Sequence, residues 1–293
     1  MKTIAICVRG SIRTWDLCKH NLFNVLDFGR FKDVKVDWFF DVWDNDSFTV
    51  KHFDSQFNLI DQQLVKNVIT PDTVQKIKDD FTLVGRHLVS FNIHAFDHDM
   101  NPSLSFLKLV YLSNLSKRSF ELKSNFKYDV CVQIRPDIFI SPNSIKHCKF
   151  IESIIESANR DIINFSIPYD SGDNIDSFND YPQYANLTEV SNIPAPQDLL
   201  FYGNSLVMDH LSNAYHFLID DDVRRYPFPH ASLFIFLNRY GFKIGKNTPV
   251  IQIVRIMKID GVYDYYDLVN KKIIDSDEFI NAISLATNLW YKS

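Results

Sequence analysis

Glycine is scarce in this chain, 8 in 293 residues. No G-x-G-x-x-G occurs among them, which excludes the dinucleotide-binding fingerprint. Each glycine that remains can mark a backbone position needing positive φ or a close approach. Cysteine is equally thin: Cys7, Cys18, Cys131 and Cys148. None forms a C-x-x-C pair, which argues against a zinc site and a disulfide framework and for buried free thiols in a reducing compartment. There is no long basic run, and the net charge is −5, so duplex nucleic acid is not the expected partner. No apolar run approaches the ~18 residues of a membrane span, and the one in MKTIAICVRGS is too short for a signal peptide. The expectation is a soluble, cytoplasmic protein, of a producing or a host cell, with no transmembrane segment.

What is present suits a large core. Hydrophobic residues make up 46% and charged residues 23%, and phenylalanine is abundant at 25. No repeat, low-complexity tract or clear linker divides the chain. The reading is a single domain over 1–293.

Local patterns outline alternating strands and helices. TIAICVR (3–9) reads as a buried strand, Gly10 and Ser11 as a turn, and 14–26 as a helix. VKVDWFFDV (34–42) reads as a second strand. That order begins an α/β sheet. Residues 45–60 read as loop, Pro71 as the start of a short helix, and HLVSFNI as a strand. A long helix is expected from about Pro102 to Asn125, capped by Ser103, leading into the strand YDVCVQI. A helix at 149–158, a strand at 161–167, a long loop at 168–196, a strand at 198–203 and a helix at 205–219 follow. A helix at 230–240 and a strand at 250–256 complete the outline.

The stretch YDVCVQIRPDIFISP carries the sharpest chemical question. Arg135, Pro136 and Asp137 interrupt a core strand at its carboxyl end, where ligands of open α/β sheets bind. Proline removes a ladder donor, so pairing stops or the strand lies at an edge. The two charges then either close a turn as an ion pair, or form a phosphate or divalent-metal site. Gly10, flanked by Arg9 and Arg13, ends the first strand and precedes a helix, an arrangement that lets backbone approach an anion; a turn glycine with solvated arginines is the alternative. Asp198 starts a strand after the long loop and is a candidate general base. His230 is a candidate metal ligand or helix cap. Asp44-Asn45-Asp46 follows the second strand as a literal D-x-D, and Asp220-Asp221-Asp222 is another, at a helix end.

Four stretches, in order, resemble a family of glycosyltransferases of surface-polysaccharide gene clusters and some large viruses. They are IAICVRGSIRTW, VDWFFDVWDND, FELKSNFKYDVCVQIRPDIFI and PQDLLFYGNSLVMDHL. The resemblance implies a GT-A-like, Rossmann-type mixed sheet flanked by helices, with a smaller acceptor-side lobe, so that 1–145 would be a nucleotide-binding half and 146–293 an acceptor-side half. It implies a nucleotide-sugar donor, a glycan acceptor and assistance by Mn²⁺ or Mg²⁺. Asp137 takes the position of the family's metal-binding D-x-D and His230 is a further candidate ligand. Arg9, Gly10, Arg13, Asp44 and Arg135 would face the donor, and Asp198 would be the base. Here R-P-D stands in place of D-x-D, so Arg135 could neutralise phosphate where a metal contact is missing. Two other readings stay open: a non-catalytic binding protein on a degenerate transferase scaffold, and another Rossmann-like transferase such as a methyltransferase.

Overall fold

The computed structural model describes residues 1–12, 14–44, 48–53, 59–65, 68–97, 100, 102–140, 149–166, 197–219, 233, 236–237, 239–245, 251–259, 262–267 and 272–274. Strand β1 (Lys2–Arg9) leads through helix α1 (Trp15–Val25) to β2 (Val34–Trp43). β3 (Phe48–Phe53), β4 (Leu59–Val65) and α2 (Pro71–Leu83) precede β5 (His87–His94). The long helix α3 (Pro102–Ser124) then returns the chain to β6 (Val130–Ile134), followed by the short β7 (Ile138–Ile140). α4 (Phe150–Glu156), β8 (Ile162–Ser166), β9 (Gln197–Asn204), α5 (Ser205–Ser212) and α6 (Ala214–Ile219) come next. β10 (Lys243–Gly245), β11 (Ile251–Ile259), β12 (Val262–Asp267) and β13 (Lys272–Ile274) close the list.

The result is a mixed α/β fold. A seven-stranded sheet runs β10-β8-β9-β6-β1-β2-β5. β1 pairs in parallel with both β2 and β6, and β2 with β5. β9 alone among the described strands of this sheet runs against its neighbours. A second sheet runs β13-β12-β11-β3-β4, and β7 joins it by pairing with β11.

Both faces of the large sheet are covered, which is why its strands read as continuous apolar runs. Alternation splits them by face. Ile4, Ile6 and Val8 of β1 join Trp38, Phe40 and Val42 of β2 in one core, against α1, α2 and α4. Ala5, Cys7 and Phe39 join a second core, against α3, α5 and the helical residues near Phe236.

Several local expectations are corrected. The stretch read as loop at 45–60 contains β3 and the start of β4, which pair with each other; their mixed polar and aromatic composition hid them. Ser103 is not the N-cap of the long helix, because Pro102 already begins it. The helix read as continuous over 205–219 is broken at Asn213 into α5 and α6. Of the helix expected at 230–240, Leu233, Phe236, Leu237 and Arg239 are helical. The long loop expected at 168–196 lies outside the described residues.

Candidate functional site

The chain order reverses at β1. From β1 it moves outward through β2 to β5, then returns to place β6 on the other side of β1. In open α/β sheets such a switch point opens a crevice beyond the carboxyl ends of the two strands. Gly10 follows β1, and Arg135-Pro136-Asp137 follows β6. They meet: a side-chain carbon on Gly10 would lie 3.6 Å from Cδ of Pro136 and 3.8 Å from Cγ of Arg135. Gly10 has φ of +122°, a conformation that residues with a β-carbon rarely adopt. Glycine is placed here by a positive-φ turn that passes close to the triplet.

The triplet changes sheets. The Arg135 amide donates to the Leu199 carbonyl at 3.0 Å, the last rung with β9. Pro136 offers no further donor, and after the turn Ile138–Ile140 pair with β11 of the second sheet. Asn21 of α1 secures the new course, donating to the Ile140 carbonyl at 3.0 Å and accepting from its amide at 2.7 Å. Arg135 and Asp137 form a two-pronged ion pair across the turn. Nε donates to Oδ1 at 2.8 Å and Nη2 to Oδ2 at 2.6 Å. Asp137 is fully buried, while the Arg135 side chain keeps 17% of its surface. Arg135 is thus the partly exposed member of the pair, and the buried Asp137 holds it in place. This pair uses two of the five guanidinium N–H groups.

Arg9 is buried, not solvated. Its Nε donates to Gln133 Oε1 at 3.1 Å, and its guanidinium sits 4.7 Å from the Phe106 ring centre and 4.9 Å from that of Phe201. Cation–π contact with two rings suits a planar cation out of water. Ser113 also donates to Gln133, so Arg9, Gln133 and Ser113 form one layer below the crevice. Asp44, just past β2, is exposed and its carboxylate accepts from the Phe96 amide at 2.9 Å. That bond fixes the turn after β5 and leaves Asp44 at the same sheet edge. The backbone of Asp198 lies at this edge too, beside Leu199 and across from Arg135. Arg13, His230, Asp46 and Asp220 to Asp222 lie outside the described residues.

The donor set bears on a divalent cation. Such ions want several oxygen ligands. Beside Gly10 the described residues supply Asp137, and both of its oxygens already accept from Arg135; the Asp44 carboxylate, at the same sheet edge, accepts from the Phe96 amide. No group of three or more His, Cys, Asp or Glu able to hold a metal occurs among the described residues. The carboxylate as placed fits the role of a guanidinium anchor better than that of a metal ligand.

A polar knot was not foreseen. Asp41 of β2 is fully buried. Its Oδ1 accepts from Asn92 at 3.1 Å and Ser116 at 3.0 Å, and is 2.8 Å from His94 Nε2. Its Oδ2 is buried without a hydrogen-bond partner. Four residues below it on the same strand, Asp37 accepts from Tyr128 Oη at 2.6 Å and lies 2.6 Å from His87 Nδ1. The sequence signal was the two-residue alternation D-W-F-F-D, which puts both acids on the α3 face.

The three described cysteines, Cys7, Cys18 and Cys131, are free and buried. Burial first, then the neighbouring Cys131, push the Cys7 thiol well above its ordinary value, so it is no nucleophile. No helix among the described residues is long and apolar enough to cross a membrane. Compared with known proteins, the chain matches no family model and no curated sequence.

Proposed function

We propose that the protein is a glycosyltransferase using a nucleotide-sugar donor and a glycan acceptor, with the donor diphosphate bound at the switch-point crevice. The observation that carries this reading is the meeting of Gly10 with Arg135-Pro136-Asp137 where chain order reverses. The mixed sheet also agrees with the GT-A-like architecture that the sequence resemblance implies.

In the proposed reaction the bond from the sugar's anomeric carbon to the diphosphate oxygen breaks, and the acceptor hydroxyl oxygen bonds to that carbon. The hydroxyl proton passes to a base, and the electron pair of the broken bond leaves with the diphosphate. Arg135 supplies positive charge where negative charge develops on the leaving group. Asp137 keeps the guanidinium oriented before substrate arrives, so that little reorganisation is needed at the moment of transfer. Gly10 lets backbone approach the phosphates without a β-carbon in the way. Asp198, at the same edge, is the proposed base. Mn²⁺ or Mg²⁺ assistance and a ligand role for His230 stay proposals.

The test is release of nucleoside diphosphate from a panel of nucleotide sugars in the presence of glycan acceptors, with and without Mn²⁺. Arg135→Lys keeps a cation next to Asp137 but loses the fork. It is expected to slow release by at least about tenfold, or ~1.4 kcal/mol of transition-state stabilisation. Release that is unchanged in this variant would remove Arg135 from the mechanism. No release with any donor would favour a non-catalytic binding protein on the same scaffold.

A further inference from the structure

The outer edge of β5 and the facing stripe of α3 enclose a cleft of about 700 Å³. It lies at the end of the large sheet, two strands away from the switch point. Six consecutive residues of β5, Val89–His94, line it, so it runs along the strand and not across it. At ~3.3 Å per residue that is a groove of about 17 Å. The opposite wall is a single helical stripe of α3 that runs from Leu112 through Ser116 and Ser119 to Lys123.

β5 ends the sheet, and among the described residues no strand pairs with its outer side. Edge strands are usually blunted by lysine, proline or a bulge, because a bare edge is a template for another strand. The segment VSFNIH has neither lysine nor proline. Its bulge sits at the start, where Leu88 and Ser90 pair with successive residues of β2 and Val89 is extra; Ser90–His94 run in regular register. Exposed apolar side chains flank this edge, Leu115 at 41% exposure on the α3 wall and Ile93 at 42% on the other face of the sheet, in register with Val42. The polar part of the walls is already ordered, since buried Asp41 holds Asn92, Ser116 and His94 together, which lowers the cost of binding. Among the described residues the ionisable groups that line the groove are His94 and Lys123, with no carboxylate.

We infer that this groove takes an extended peptide segment of a partner protein, added as a further strand beside β5. Main-chain hydrogen bonds give such a mode its affinity and alternate side chains its selectivity. One face of the segment places an apolar side chain against Leu115 and a carboxylate at Lys123, and its other face places an apolar side chain beside Ile93. A second copy of this chain is the poorer occupant, because its own β5 brings no carboxylate to Lys123.

The test is selection of a random displayed peptide library on the full chain, with counter-selection on Lys123→Glu. Both Lys123→Glu and Ile93→Lys alter exposed side chains, and an unchanged unfolding midpoint confirms that each variant folds. Enriched peptides are expected to carry apolar residues on both faces of the strand, and Asp or Glu on the face that meets Lys123. Their affinity should fall by at least about tenfold in either variant, and binding should slow amide exchange over residues 89–94. No enrichment, equal affinity for wild type and variants, or protection elsewhere would overturn the inference. So would protection of 89–94 by self-association without peptide, which would assign the groove to a second copy.

Discussion

Arg135 and Asp137 show how one short stretch does two jobs. The proline between them ends the β6 ladder, and their ion pair spans the turn that hands the chain to the second sheet. Whether the charges close a turn or face a ligand was open from the sequence; the geometry has them closing the turn while Arg135 keeps part of its surface at the crevice. Gly10 is the partner of that turn. Gly10→Ala forces a β-carbon into a positive-φ position and close to Pro136. The expected loss is on the order of 1–3 kcal/mol in urea unfolding, and a neutral result would mean that the turn relaxes. Asp37 has a pH consequence. Burial raises its carboxyl, but hydrogen bonds from His87 and Tyr128, together with Lys35, outweigh burial and hold it below the ordinary carboxylate value. A depressed folded value gives stability that is fully present above the unfolded value of ~3.9 and is lost as pH falls from there through the folded value. Asp37→Asn should therefore flatten the fall in stability as unfolding is measured from pH ~5 downward; curves of equal slope would contradict the assignment.

Elements built on strong periodicity were readable from the sequence, and those built on pairing were not. β1, β2 and β6 are buried on both faces, so their runs of Ile, Val, Phe and Trp stand out. β3 and β4 carry Lys51, His52, Asp61 and Gln62 and are strands because they pair with each other, which composition does not report. The end of α5 was likewise hidden, because Asn213 breaks the helix in a stretch with no proline or glycine. Burial of Arg9 was missed because its aromatic partners come from α3 and β9, about 100 and 190 residues away in sequence; such pairings are set by packing, not by local propensity. α2 offers the clearest test at this scale. Phe81 is 1% exposed and its ring meets those of Trp15, Phe23, Trp38 and Phe40. Phe81→Ala should cost about 3–5 kcal/mol by cavity formation. A loss below about 1 kcal/mol in chemical denaturation would show that α2 contributes little to that core.

At the scale of the whole molecule, strands from both sides of residue 145 share one sheet. Its central strands, β1 and β6, bring Gly10 and the triplet to one edge, and β9 brings the backbone of Asp198 there from the other side. α3 is bound to α5 through a buried cation: Lys117 Nζ donates to Ser205 and lies 2.8 Å from Asp209 Oδ1. The helix that walls the β5 groove is thereby anchored to the opposite half of the chain. The alternation of elements was readable early, but the order of the strands was not. Strand order depends on which helices cross which face, and that placed the crevice between β1 and β6.

The most direct measurement is thermal unfolding of the wild type and Arg135→Lys with a panel of UDP-, GDP-, CMP- and dTDP-sugars, with and without Mn²⁺. A ligand that binds the folded state raises its apparent stability by about 2.7 kcal/mol at a hundredfold excess over Kd. Stabilisation by one nucleotide class, weakened in Arg135→Lys, is the predicted result and would name the donor class. The absence of stabilisation by any nucleotide sugar, with or without metal, would contradict the account and leave the triplet a structural turn.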